Sequence, residues 1–163
     1  MANPIPAHIA QFIAQHHVVS LACHSENEIW AASCFYAFDE QSHRLIVLTK
    51  TTTEHGKRML ANPHIAGTIA GQPENIREIE GIQFQAVARC LENEAEKQTA
   101  LQIYWQKHPL AKLIPSDVWE IAFTRIKHTE NKVAFAKKSV WEREFFEHTY
   151  HSLPLLAGGA AEG

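Results

Sequence analysis

The sequence predicts a mainly β domain, an antiparallel barrel of six to seven strands with peripheral helices. Three observations lead there. Six or seven short apolar runs have strand character, and the first four follow one another closely. Short connections favour antiparallel neighbours. A barrel is the closure that leaves few strand edges bare.

The elements follow in order. Asn3-Pro4 with Ile5, Ile9, Phe12 and Ile13 marks a helix start and an apolar stripe that ends near His16. Val18 to His24 is a buried strand. Ser25 to Glu28 is a polar turn, and Ile29 to Phe38 returns as the second arm of a hairpin. Asp39 to His43 turns again into a third strand, Arg44 to Thr49. A short helix over Glu54 to Ala61 precedes a fourth strand, His64 to Gly71. Gln72 to Glu80, polar and holding Pro73, reads as a loop. Gly81 to Leu91 is a long alternating strand, and Glu92 to His108 is a helix stopped by Pro109. Val118 to Ile126 and Lys132 to Trp141 are the last strands. With 163 residues and no internal repeat or linker, residues 1–151 are expected to form one domain. The glycine-rich stretch 152–163 is expected to be a loose tail.

Composition narrows the function. A net charge of −3 gives no electrostatic argument for nucleic acid or an anionic membrane. No apolar run approaches the ~20 residues of a membrane span, and the N-terminus lacks signal-peptide features. The expected location is the cytoplasm. Cys23, Cys34 and Cys90 lack C-x-x-C spacing and read as buried thiols. None of the histidines shows metal-ligand spacing in a clear helix, so no metal is expected.

The most informative stretch is Leu45 to Ala70. It orders a strand, a threonine-rich turn, a basic helix, Asn-Pro and a second strand. With Thr53 as N-cap, the N–H groups of Glu54, His55 and Gly56 have no intrahelical acceptor. A helix start of this kind can hold a phosphate. Thr49 can add a hydroxyl, Lys57 and Arg58 can add charge, and Gly56 leaves room for a ligand. The same residues also fit a bare helix cap, which Thr53 performs without any ligand.

The order Thr49-x-x-x-Thr53, basic helix, Asn62-Pro63 and strand resembles the flavin-binding split-barrel superfamily. Pyridoxamine 5′-phosphate oxidase is its best-known enzyme. Within it, the chain is most similar to a small, uncharacterised bacterial branch of proteins of similar length. Further matching segments are 28–32, 66–73, 81–84, 118–121 and 136–138, so the resemblance spans the first helix to about Trp141. It implies a split barrel with FMN at a homodimer interface.

The resemblance also implies roles. Leu48, Thr49 and Thr53 match the phosphate-binding strand and turn, and His55 stands where the oxidases carry a basic residue. Lys57 or Arg58 is then expected to supply the missing cation. Ala31 to Cys34, with Ala32 and Ser33 central, match the strand beside the flavin ring. Gln83 could hydrogen-bond phosphate, ribityl or ring oxygens. Trp119, Lys137 and Lys138 match segments that family dimers contribute to the partner's flavin. Tight packing of a strand on a helix explains the alanines equally, and core packing explains Trp119.

Two departures bear on substrate. Ser33-Cys34-Phe35-Tyr36 replaces an arginine-rich phosphate pattern, and Ala136-Lys137-Lys138 stands where an Arg-x-His-x-Arg-type motif binds substrate. Oxidation of pyridoxamine phosphate is therefore not expected. The expectation is an FMN-dependent oxidoreductase acting on an unknown small molecule. The alternatives are a non-catalytic flavin or haem carrier, with His55, His64 and His128 as haem candidates, and a partner-binding domain without a cofactor.

Overall fold

A computed structural model describes residues 3–132 and 136–144. The expected loose tail, 152–163, lies outside them. Among the described residues, seven strands form one sheet in the order β3-β2-β1-β4-β5-β6-β7, and a further β3–β6 pairing bends it into a ring. Every pairing is antiparallel. The mainly β, split-barrel expectation is met.

Strands β1 (Val18–Ser25) and β2 (Glu28–Asp39) form a hairpin whose turn residues, Glu26 and Asn27, have φ of 51° and 61°. Two left-handed residues match the twist of the flanking strands, and Asn tolerates that conformation well. Strand β3 (Arg44–Leu48) pairs with β2 only from Tyr36 to Asp39, and with β6 over its whole length. The Glu28–Phe35 half of β2 therefore has β1 on one side and no strand on the other.

Helix α1 (Ala7–Gln15) gives Ile9, Phe12 and Ile13 to a core shared with Leu21, Tyr36, Val47, Phe84, Trp119 and Phe123. Burying each such side chain is worth roughly 1.5–3 kcal/mol. Helix α2 (Glu54–Ala61) adds Met59 to the same core. Helix α3 (Glu94–Lys107) builds a second cluster with Ala100 and Tyr104 against Ala37, Ile46 and Val118. Gly67 in β4 (His64–Ala70) lets the Phe84 ring close in, since a Cβ there would stand 2.4 Å from Phe84 Cζ.

Several boundaries shift for local reasons. Helix α3 starts at Glu94 because the Asn93 side chain accepts from the Glu96 N–H at 3.1 Å. A 3₁₀ turn at Ile76–Glu78, capped by Asn75, sits inside the expected 72–80 loop. Strand β6 (Val118–Glu130) runs four residues beyond Ile126, because its polar end keeps pairing with β5 (Glu80–Cys90) and turns His128 inward. A bulge between Gln85 and Ala86 leaves Thr124 of β6 as the extra residue. Strand β7 spans Lys137–Glu142; the earlier part of its expected range holds residues 133–135, which lie outside the described residues. No described helix is long and apolar enough to cross a membrane.

Candidate functional site

The end of β3 and the start of α2 meet the open half of β2. The chain leaves β3 at Leu48, which is half-buried, and enters a turn pinned by Asp117. Asp117 takes the Thr49 N–H on its backbone carbonyl at 3.1 Å and the Thr51 N–H on its carboxylate at 2.8 Å. From the other side, the Trp119 indole donates to the Thr49 carbonyl at 3.0 Å. This fixes Thr49 beside the first turn of α2.

Three expected residues converge there. His55 Nε2 lies 2.6 Å from the Thr49 hydroxyl and 3.3 Å from the Thr53 hydroxyl. Cys34 of β2 approaches the same nitrogen at 4.0 Å. The Thr53 hydroxyl donates to the Lys50 carbonyl at 2.8 Å and accepts the Gly56 N–H at 3.0 Å. With its proton committed to the Lys50 carbonyl, the Thr53 hydroxyl can only accept from Nε2. Burial lowers the His55 pKa, in keeping with an uncharged ring. Burial, helped by nearby Cys23, pushes the Cys34 thiol up to about 11, so it stays protonated.

Gly56 has a different purpose from the one expected. A Cβ there would stand 2.4 Å from the Lys50 carbonyl and 2.9 Å from the Thr53 hydroxyl. Its bareness serves the turn's own packing and makes no space for a ligand. Arg58 also departs from expectation as a free cation. Its guanidinium pairs with Glu54 at 2.5 Å and Glu28 at 2.7 Å, and it lies 5.5 Å from the Trp30 ring centroid. The pairing draws Glu54 along the helix to Arg58 and holds its carboxyl pKa down. Lys57 is exposed and makes no ion pair among the described residues.

The open half of β2 supplies a second set of donors. The Tyr36 N–H donates to the carbonyl of His17, just before β1, at 2.9 Å. By strand alternation, even-numbered residues of β2 turn their backbone groups to β1. Ile29, Ala31, Ser33 and Phe35 turn theirs to the side where β3 has ended. Ala31 and Ser33 are small and exposed, and Ala32 between them is half-buried.

Other expected residues lie elsewhere. Gln83 sits on the outer face of β5, in a row that runs Ser33, Ser20, Thr68, Gln83, Lys127 across five strands. It is three strands from β2 and lines a separate hollow with Phe84, Gln85, Arg125 and Lys127. Lys137 and Lys138 are exposed at the start of β7, paired in register with Glu130 and Thr129. Trp119 packs inside the barrel. It is 0% exposed within the protomer. It lies between β3 and β5 and supports Thr49 from behind.

Sequence reasoning missed Asp117, whose role depends on a strand pairing that no local pattern reveals. It also missed the Glu28–Arg58–Trp30 assembly, for which charge alternation was the only available hint.

The donors present can hold a phosphate. At the start of α2, the Glu54 and His55 N–H groups have no acceptor among the described residues. Beside them stands the His55 imidazole, Lys57 follows within the same helix, and the bare edge of β2 continues the row of donors. A helix start of this kind favours a phosphate dianion.

Comparison with known proteins yields three findings. The sequence profile described as pyridoxamine 5′-phosphate oxidase matches residues 5–130. A UPF0306 protein from Haemophilus ducreyi is 46% identical over 140 residues, covering 85% of this chain and 96% of that one. Among solved structures, a heme binding protein from Mycobacterium smegmatis superposes with a TM-score of 0.70 at 18% identity, over 87% of this chain and 60% of that one. A FAD-binding protein from Mesorhizobium loti gives 0.64 at 13% identity, over 78% and 95%.

Proposed function

Since the chain belongs to the pyridoxamine 5′-phosphate oxidase family, and its close relatives are UPF0306 proteins, we propose that it binds FMN and acts as a flavin-dependent oxidoreductase on a small molecule. The observation that carries this is the meeting of two donor sets: the free N–H groups at the start of α2 and the unpaired edge of β2. FMN, when bound, supplies two-electron transfer at its ring. The Glu54 and His55 N–H groups hold the phosphate, with the His55 imidazole and Lys57 completing its shell. The Ala31 and Ser33 backbone groups orient the ring edge, because no side-chain bulk keeps it away. Leu48, Ala32 and Thr49 shape the space between the two sets. Trp119 and Asp117 hold Thr49 in place.

The functional unit in this reading is a homodimer. Ile29 is 76% exposed, Phe35 59% and Val18 42%, all on the outer face of the hairpin. Burial of such an apolar strip against a second copy removes it from water and shields the open edge. Gln83, Lys137 and Lys138 each lie three strands from β2, and we assign them to the partner's ring.

Purified protein loaded with FMN should show flavin absorption bands, and dithionite or a pyridine nucleotide should bleach them. Protein that fails to bind added FMN removes the proposal. A haem carrier is the second reading, because the Mycobacterium smegmatis neighbour is described as heme binding. Of its three candidate histidines, His55 is held by Thr49 and His128 is buried against Glu80 at 3.1 Å. His64 is exposed, and with His24 it lines a hollow of about 450 Å³. A Soret band abolished by His64→Ala would favour haem over FMN.

A further inference from the structure

We propose that Trp30 is the stacking platform for one face of the flavin ring, and that Arg58 braces it from behind. This rests on the FMN reading above. Side chains alternate along β2, so Trp30, Ala32 and Cys34 leave the strand on one side. That side is the one α2 covers: Cys34 lies 4.0 Å from His55, and the Arg58 guanidinium is 5.5 Å from the Trp30 ring centroid. The strip therefore begins at the phosphate end, passes the small Ala32 and ends at an indole. Trp30 lies four residues from Cys34, roughly 13 Å along the strand, which suits the reach from a phosphate to a ring.

A flat ring hydrogen-bonded to the open edge of β2 continues the plane of the sheet. Its two faces are then flanked by the side chains that leave β2 above and below that plane. On the α2 side the large one is Trp30. It is 45% exposed, unusual for an indole beside a core, so it has surface left to cover a ligand. Arg58 lies against it at 5.5 Å from the ring centroid. Arg58 is clamped by Glu28 from β2 and Glu54 from the first turn of α2, and its Nε is buried without a partner. Through Glu54, the clamp connects the platform to the first turn of α2.

The test is titration of FMN and riboflavin by flavin fluorescence, which an indole stacked on the ring quenches. Wild type, Trp30→Ala, Trp30→Phe and Thr49→Val are compared. The expected result is quenching on binding to wild type, with emission restored in Trp30→Ala. Trp30→Ala should weaken FMN and riboflavin by the same factor, about tenfold. Trp30→Phe should weaken both less, and Thr49→Val should weaken FMN alone. Unchanged affinity and unchanged quenching in Trp30→Ala, with wild type binding normally, overturn the platform and leave the FMN reading standing. Failure of wild type to bind either flavin overturns both.

Discussion

The Trp119 indole nitrogen donates to the Thr49 carbonyl at 3.0 Å, from a side chain with no exposure at all. A core tryptophan thus sets the height of a surface turn. The bond belongs to the wall of the barrel, yet the residue it fixes faces the proposed phosphate. Trp119→Phe keeps most of the packing and strands the carbonyl, which should cost about 1–3 kcal/mol of stability. Urea denaturation would measure it, and a loss within error of zero would show that the bond does not hold the turn.

Thr53→Ala removes the cap of α2, where the hydroxyl accepts from Gly56 at 3.0 Å. The expected loss is about 1 kcal/mol, read as a lower urea midpoint at unchanged slope. FMN affinity should fall by less than in Thr49→Val, because the Thr53 hydroxyl already donates to Lys50. The opposite order would place Thr53 in direct contact with phosphate.

Gly56→Ala sets a methyl 2.4 Å from a backbone carbonyl, so the turn itself must shift. Helix propensity alone would gain from this change. Steric displacement should win, with a loss of about 2 kcal/mol or more. Thermal unfolding decides between the two, and a stabilised variant would refute the packing argument.

His55 provides a pH dependence with a definite sign. Burial lowers its pKa in the folded protein below the ordinary 6.5. Its contribution to stability is therefore complete above pH 6.5 and is lost as pH falls through the folded value. A phosphate dianion beside the ring acts in the other direction and raises that pKa. FMN binding should then take up a proton and tighten between about pH 8 and pH 6.5, while riboflavin binding stays level. In His55→Gln both ligands should show flat profiles over that range. A flat FMN profile in wild type would separate His55 from the phosphate.

Phe35→Glu places a charge in the exposed apolar strip of the hairpin. Sedimentation should show a monomer where wild type sediments as a dimer. A variant that remains dimeric would move the interface elsewhere.

The strand periods and turns were readable because each is local. Val18 to His24, the Glu26-Asn27 turn and Thr53 before Glu54 carry their own signals. Long-range pairing was not readable. Nothing in Arg44–Leu48 says that it will bind β6 along its full length and abandon β2 after Tyr36, and that choice creates the open edge. The site was half-legible for the same reason. Thr49, Thr53 and His55 lie within one loop and were found together. Asp117 arrives from 66 residues away to pin that loop. Arg58 read as a spare cation because its partner Glu28 is 30 residues distant. Gly56 read as ligand space because a sequence does not show which atoms approach a missing Cβ.

The bare stretch of β2 has a consequence for handling the protein. Native sheets guard such borders with lysine, proline or a covering loop, and Ile29, Ala31, Ser33 and Phe35 offer none of these. An empty copy carries a template for strand-on-strand polymerisation. Whatever fills the border also keeps the protein in solution, so ligand supply during expression should govern how much is recovered.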